Sequence, residues 1–172
     1  MSSVKLINIS ELVTFNSELN EMIILKNAEV AIEAGLISQI GESLGDADSI
    51  IDCQNKLVTP GFVDSHTHPI FFNGREDEFS LRLQGATYEQ ISLAGGGIPD
   101  SIKGVREAKE EDLRLRVKSR MDQFIKLGTT TIECKSGYGL NTKSELKSLK
   151  VIHDINKSHA IDMVATFLGG HD

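Results

Sequence analysis

An α/β fold is predicted: a small β-rich unit over residues 1–57, then strands alternating with helices over residues 58–172. Three observations carry this. The first third holds short apolar, β-branched runs with no helical periodicity. From about residue 57, strand-like runs take turns with helical patterns, which implies a parallel sheet with right-handed crossovers. Polar residues gather where three successive strands would end, the edge at which α/β folds place their sites.

In the first unit, Val4, Leu6 and Ile7 begin one strand and Met22 to Leu25 form a second. Val30 and Ile32, a turn at Ala34-Gly35, then Ile37 and Ile40 predict a hairpin. Asp46 to Ser49 is loop-like, and Ile50-Ile51 opens another strand.

The second unit begins at an apolar segment with a Pro60-Gly61 turn signal. A strand from Phe62 ends in Ser65-His66-Thr67-His68-Pro69. Residues 70–100 are glycine-rich and predict a long excursion with one short helix at Tyr88–Leu93. Leu113, Val117, Met121 and Phe124 recur at helical spacing, with acids before them and Gly128 at the C-terminal stop. Thr129 to Cys134 predicts a buried strand. Thr142 and Glu145 match a capping box opening a helix with Leu146, Leu149, Ile152 and Ile155 on one face. Ile161 to Phe167 is again strand-like.

Composition limits the function. The 172 residues are 40% hydrophobic and carry a net charge of −7, which suits a globular domain and speaks against nucleic acid or an anionic membrane as partner. Two distant cysteines, Cys53 and Cys134, suit a reducing compartment. The N-terminus lacks a signal-peptide pattern and no run approaches a membrane span, so a cytoplasmic protein is expected.

His66-Thr67-His68 is the first candidate site. Residues two apart on a strand share a face, so two imidazoles can converge on one metal ion. Five histidines produce such a pair by accident in about one chain in nine, so the position after an apolar strand bearing Asp64 carries the weight. Arg75 lies in the run Asn73 to Glu78, either a solvated charge cluster or a guanidinium fork for a carboxylate. Gly137-Tyr138-Gly139 reads as a tight loop, structural or presenting a phenol, and Lys135 can simply pair with Glu133. His171 is either a polar group at the functional edge or an exposed terminus. His153 reads as a helix-surface or packing residue, His159 as a loop residue, and Cys134 as a small apolar core residue. Arg114, Arg116, Lys118 and Arg120 read as a solvated helix face.

Together these motifs resemble a known family. LVTPGFVDSHTHP (57–69) looks like the first barrel strand of the amidohydrolase superfamily. FFNGREDEFSLRLQGATYEQI (71–91), GGGI (95–98), LGTTTIECKSGYGL (127–140) and TFLGGHD (166–172) follow in order and resemble the imidazolonepropionase family, with VAIEAGLISQIG (30–41) a looser match. The resemblance implies the first strands and helices of a (β/α)8 barrel, preceded by part of a small β-sandwich. It implies one zinc or iron ion held by His66 and His68, with Arg75, Tyr138, His171 and Tyr88 as substrate-binding residues. The implied reaction, in histidine degradation, opens the ring amide of 4-imidazolone-5-propanoate with a metal-activated water, giving N-formimidoyl-L-glutamate. A homodimer is implied for the full-length protein.

The family also supplies a further metal-binding histidine and a proton-handling aspartate from later strands. Neither position falls in this sequence, and Asp172 follows the wrong strand to be that aspartate. Residues 57–172 are fewer than half of the roughly 250 that a barrel takes, so the barrel is expected to be incomplete and the chain alone inactive. The competing readings are another cyclic-amide hydrolase or aminohydrolase of the superfamily, and a truncated, non-catalytic product.

Overall fold

The computed structural model describes residues 2–171, which fall into two compact units divided between Pro60 and Gly61. Among the described residues no helix is long and apolar enough to cross a membrane.

The first unit is a five-stranded sheet of β1 (Ser3–Asn16), β2 (Glu21–Lys26), β3 (Glu29–Glu33), β4 (Leu36–Gly41) and β5 (Ser49–Val58). β1 organises it: its first half pairs antiparallel with β3, its second half antiparallel with β2, and β5 runs parallel along it. The β1–β5 ladder shifts register on either side of Ile9, next to Asn8 at φ 54°. Such a bulge bends a strand, letting one strand serve two partners. Ile9, Leu12, Ala28 and Val30 form the buried core.

The second unit holds β6 (Phe62–Thr67), β7 (Thr129–Lys135) and β8 (Asp162–Thr166) as a parallel sheet in that order. The connections carry α1 (Glu76–Leu83), α2 (Tyr88–Leu93), α3 (Ile98–Glu107), α4 (Glu110–Lys126) and α5 (Thr142–Asn156). These are the first strands and helices of a βα-barrel. The predicted stripe on α4 is its buried face: Leu113, Val117 and Met121 are 0% exposed and pack with Ile132 of β7 and Val151 of α5. α4 ends where Gly128 takes φ 89°, a left-handed conformation that glycine adopts without steric cost.

Three expectations are corrected. The excursion at 70–100 is mostly helical, containing α1 and the start of α3 beside the predicted α2. α1 buries none of its residues, and two of the three that α3 buries, Ser101 and Gly104 beside Val105, are not apolar. On α5 the buried face is turned: Leu146 is 60% exposed, while Ser144, Ser148, Val151, Ile152 and Ile155 are buried. Small serines let this helix lie close to its neighbours. Finally, the α5 cap is Asn141, whose Oδ1 accepts the Ser144 N–H at 2.9 Å, rather than Thr142. Thr142 is already helical, so Glu145 is released from the predicted capping box.

Candidate active site

The carboxyl ends of the three parallel strands bring four rings together. His66 is in the last turn of the β6 pleat and His68 follows the strand. Between them Thr67 is buried and its hydroxyl donates to the Glu133 carbonyl of β7. That alternation turns both imidazoles away from Thr67. Their centroids lie 5.4 Å apart in an edge-to-face arrangement. Tyr138, in the loop after β7, is 5.9 Å from His68. His171, after β8, stacks on His68 at 4.7 Å and lies 5.2 Å from Tyr138. Asp64 fixes the approach by accepting the His66 N–H at 3.1 Å.

His68 is the centre of this group. Among the described residues its buried Nδ1 has no hydrogen-bond partner. Burial lowers its pKa, and His171, His66 and Lys135 add to the shift. A neutral imidazole with an unpaired buried nitrogen is a fit donor for a transition-metal ion. Among the described residues no three His, Cys, Asp or Glu side chains group as a metal set, so His66 and His68 would hold an ion as two of its ligands.

His171 is half-buried rather than a free terminus, and its Nδ1 lies 3.1 Å from the Gly137 carbonyl. A carbonyl only accepts, so Nδ1 carries the proton and Nε2 of the neutral ring is an acceptor. Burial raises the Tyr138 pKa, against a smaller lowering by Arg75, so its phenol keeps its proton and can donate.

Arg75 sits in neither a free charge run nor open solvent. Its Nε and Nη2 bind Glu78 at 3.0 and 2.9 Å, and the other Glu78 oxygen accepts the Gly97 N–H at 2.6 Å. Glu78 raises the Arg75 pKa most, against burial, with Tyr138 and Tyr88 contributing. Tyr88 opens α2, is 52% exposed, and lies 5.9 Å beneath the Arg82 guanidinium. Lys135 pairs with Glu133. His153 is exposed on α5, and His159 bonds Asp122 at 3.0 Å.

The residue most easily overlooked in the sequence is Glu145. Freed from capping, its carboxylate accepts N–H groups from Gly137, Gly139 and Leu140 at 3.0, 2.7 and 2.8 Å. The signal available for it was misleading, because Thr142-x-x-Glu145 is the spacing of a capping box.

Comparison with solved structures finds the same fold in larger hydrolases. Triazine hydrolase from Arthrobacter aurescens superposes at TM-score 0.61 with 13% identity, covering 97% of this chain and 36% of that one. Guanine deaminase from C. acetobutylicum superposes at 0.59 with 18% identity, covering 95% and 35%. The likeness is one of fold, and it covers about a third of each of those hydrolase chains. No family model matches the chain. In sequence the chain is similar to the N-terminal part of imidazolonepropionases. That of Clostridium tetani is 46% identical over 165 residues, 91% of this chain and 39% of its own length. That of Geobacillus sp. is 42% identical over 183 residues, 95% and 43% respectively. The chain therefore spans about two-fifths of the length of the curated relatives it matches.

Proposed function

We propose that this chain supplies the metal-binding and substrate-binding N-terminal part of an imidazolonepropionase. The enzyme hydrolyses the ring amide of 4-imidazolone-5-propanoate to N-formimidoyl-L-glutamate in histidine degradation. The first unit is read as part of its small β-sandwich and the second as the start of its barrel. The observation that carries the reading is the meeting of His66, His68, Tyr138 and His171 at three successive strand ends. The 46% identity to the Clostridium tetani relative supports the substrate.

His66 and His68 would hold one zinc or iron ion. A relative in fold, an atrazine chlorohydrolase mutant, is a complex with zinc. When bound, such an ion supplies Lewis acidity that polarises the amide carbonyl and acidifies water. The remaining work falls to this chain's side chains. Arg75 presents a guanidinium to the propionate carboxylate, exchanging part of its Glu78 contact for the substrate. Tyr138, its proton retained by burial, donates to a substrate oxygen. His171 accepts a ring N–H through Nε2 when neutral and donates there when protonated. Tyr88, which contributes to the electrostatics of Arg75, is read as a further substrate-binding residue. The whole protein is read as a cytoplasmic homodimer.

The test is a chimera joining residues 1–172 to the remaining part of the Clostridium tetani relative. It is expected to consume 4-imidazolone-5-propanoate, with Arg75→Ala raising KM far more than it lowers kcat. A folded, metal-loaded chimera that leaves this substrate untouched, or prefers a cyclic amide without a carboxylate, would overturn the reading.

A further inference from the structure

We infer that Glu145 and Arg106 are positioning residues that together grip the turn carrying Tyr138 and so fix its phenol. This rests on the reading of Tyr138 as a substrate-binding group. Glu145, in the first turn of α5, is only 3% exposed. One of its oxygens accepts the Gly137 N–H, and the other accepts those of Gly139 and Leu140. Arg106, near the end of α3, approaches the carbonyl side. Its Nε donates to Gly139 O at 2.7 Å and its Nη2 to Leu140 O at 3.2 Å. Gly139 and Leu140 thus each hand an N–H to the carboxylate and a C=O to the guanidinium. Opposite charges grip opposite edges of the same two residues.

Five further observations fit a clamp and not a cap. Asn141 already caps α5, so Glu145 is not needed for that. Among the described residues no Lys, Arg or His stands within ion-pair distance of Glu145, so its buried charge is satisfied by the turn's N–H groups and favoured by the helix N-terminus. The turn needs holding: Leu140 sits at φ 49°, a left-handed conformation that a residue with a side chain avoids unless its surroundings impose it. Contact is also close, since a Cβ on Gly139 would lie 2.7 Å from the Glu145 nitrogen. The grip extends to a second site residue, because the Gly137 carbonyl holds Nδ1 of His171 while its N–H is on Glu145.

The chain has two tyrosines, so labelling with 3-fluorotyrosine yields one fluorine resonance for Tyr138 and one for Tyr88 as internal reference. Glu145→Gln keeps the shape but places an NH2 against backbone N–H donors. The Tyr138 resonance is expected to move and broaden, with Tyr88 unchanged. Amide exchange at Gly139 and Leu140 is expected to accelerate at least about tenfold relative to Val117 and Met121 in α4. Arg106→Gln, at an exposed residue, is expected to show the same signature more weakly and decides the matter if Glu145→Gln does not fold. The inference is overturned if the Tyr138 resonance and Gly139 exchange stay as in the unsubstituted protein. It is overturned equally if Tyr88 and the α4 amides change in step, which marks general loosening. Absence of turnover in the chimera, with the fluorine signature intact, removes the substrate reading and leaves the clamp standing.

Discussion

His68 and His171 stack ring on ring, their centroids 4.7 Å apart and their planes 17° from parallel. One follows β6 and the other lies beyond β8, outer strands that are two strand spacings, about 10 Å, apart. The stack therefore closes over the end of β7 and ties the first and third strand ends into one site.

The first prediction concerns metal. The protein is expected to bind zinc weakly, through His66 and His68, because two imidazoles are half of a tetrahedral zinc shell. His66→Ala and His68→Ala are each expected to abolish the binding, while His153→Ala, on the exposed side of α5, leaves it unchanged. Competition against a chromophoric chelator measures this. Zinc held as tightly by His68→Ala as by the parent would sink the assignment.

A second prediction is a pH dependence with a defined sign. Burial pushes the Glu78 carboxyl up, but Arg75 and the Gly97 N–H outweigh it and hold the group below its ordinary 4.5. A carboxylate with a depressed folded-state pKa contributes its full stability above the unfolded value and loses it as pH falls through the folded one. Glu78→Gln is therefore expected to lower the melting temperature near neutrality. The gap to the parent should close as pH drops from about 5 toward 3. A gap that stays constant over that range would show that Glu78 does not act through its charge.

The third prediction tests the tight turn after β7. Gly137 has φ 109°, and a Cβ there would lie 2.9 Å from the Leu168 carbonyl and 3.0 Å from His171 Cβ. Gly137→Ala is expected to cost on the order of 1–3 kcal/mol in urea unfolding, from strain and contact together. Gly45→Ala, where the added Cβ meets nothing within 4 Å, is the control and is expected to change stability little.

These positions also show what could be read from sequence. His66 and His68 were legible because a polar pair interrupts an apolar strand at its end, and His171 because it repeats that placement two strands later. The helical stripe of α4 was legible because its buried residues are large and apolar, Leu113, Val117 and Met121. α3 was not, although Ile98, Ile102 and Val105 stand at helical spacing, because it is short and directly follows the Gly95-Gly96-Gly97 run that reads as loop. Glu78 was hidden inside an acidic run whose members look alike until one finds Arg75. Glu145 was hidden by a local pattern that is real chemistry elsewhere. The sequence offers Thr142-x-x-Glu145 as a cap, but Asn141 takes that role and tertiary contacts claim the glutamate.

The last prediction turns on Arg120, expected from sequence to lie on a solvated face. Instead its guanidinium stacks 3.4 Å from the centre of the Phe71 ring and donates through Nη1 to Pro69 O at 3.2 Å and Phe71 O at 2.7 Å. These carbonyls belong to the segment leaving His68, beside a cavity of about 340 Å³ lined by His68, Phe71, Phe124 and Leu127. Burial, with Arg116 adding to it, lowers the Arg120 pKa to about 10. Arg120→Lys is expected to cost about 1–3 kcal/mol at pH 8, because an ammonium neither stacks flat on Phe71 nor reaches both carbonyls from one plane. Arg120→Met, which keeps an apolar stem without the fork, is expected to lose both carbonyl bonds and to lower the urea midpoint as well. An Arg120→Lys variant as stable as the parent in urea unfolding would show that the planar fork on Phe71 does not hold the segment leaving His68.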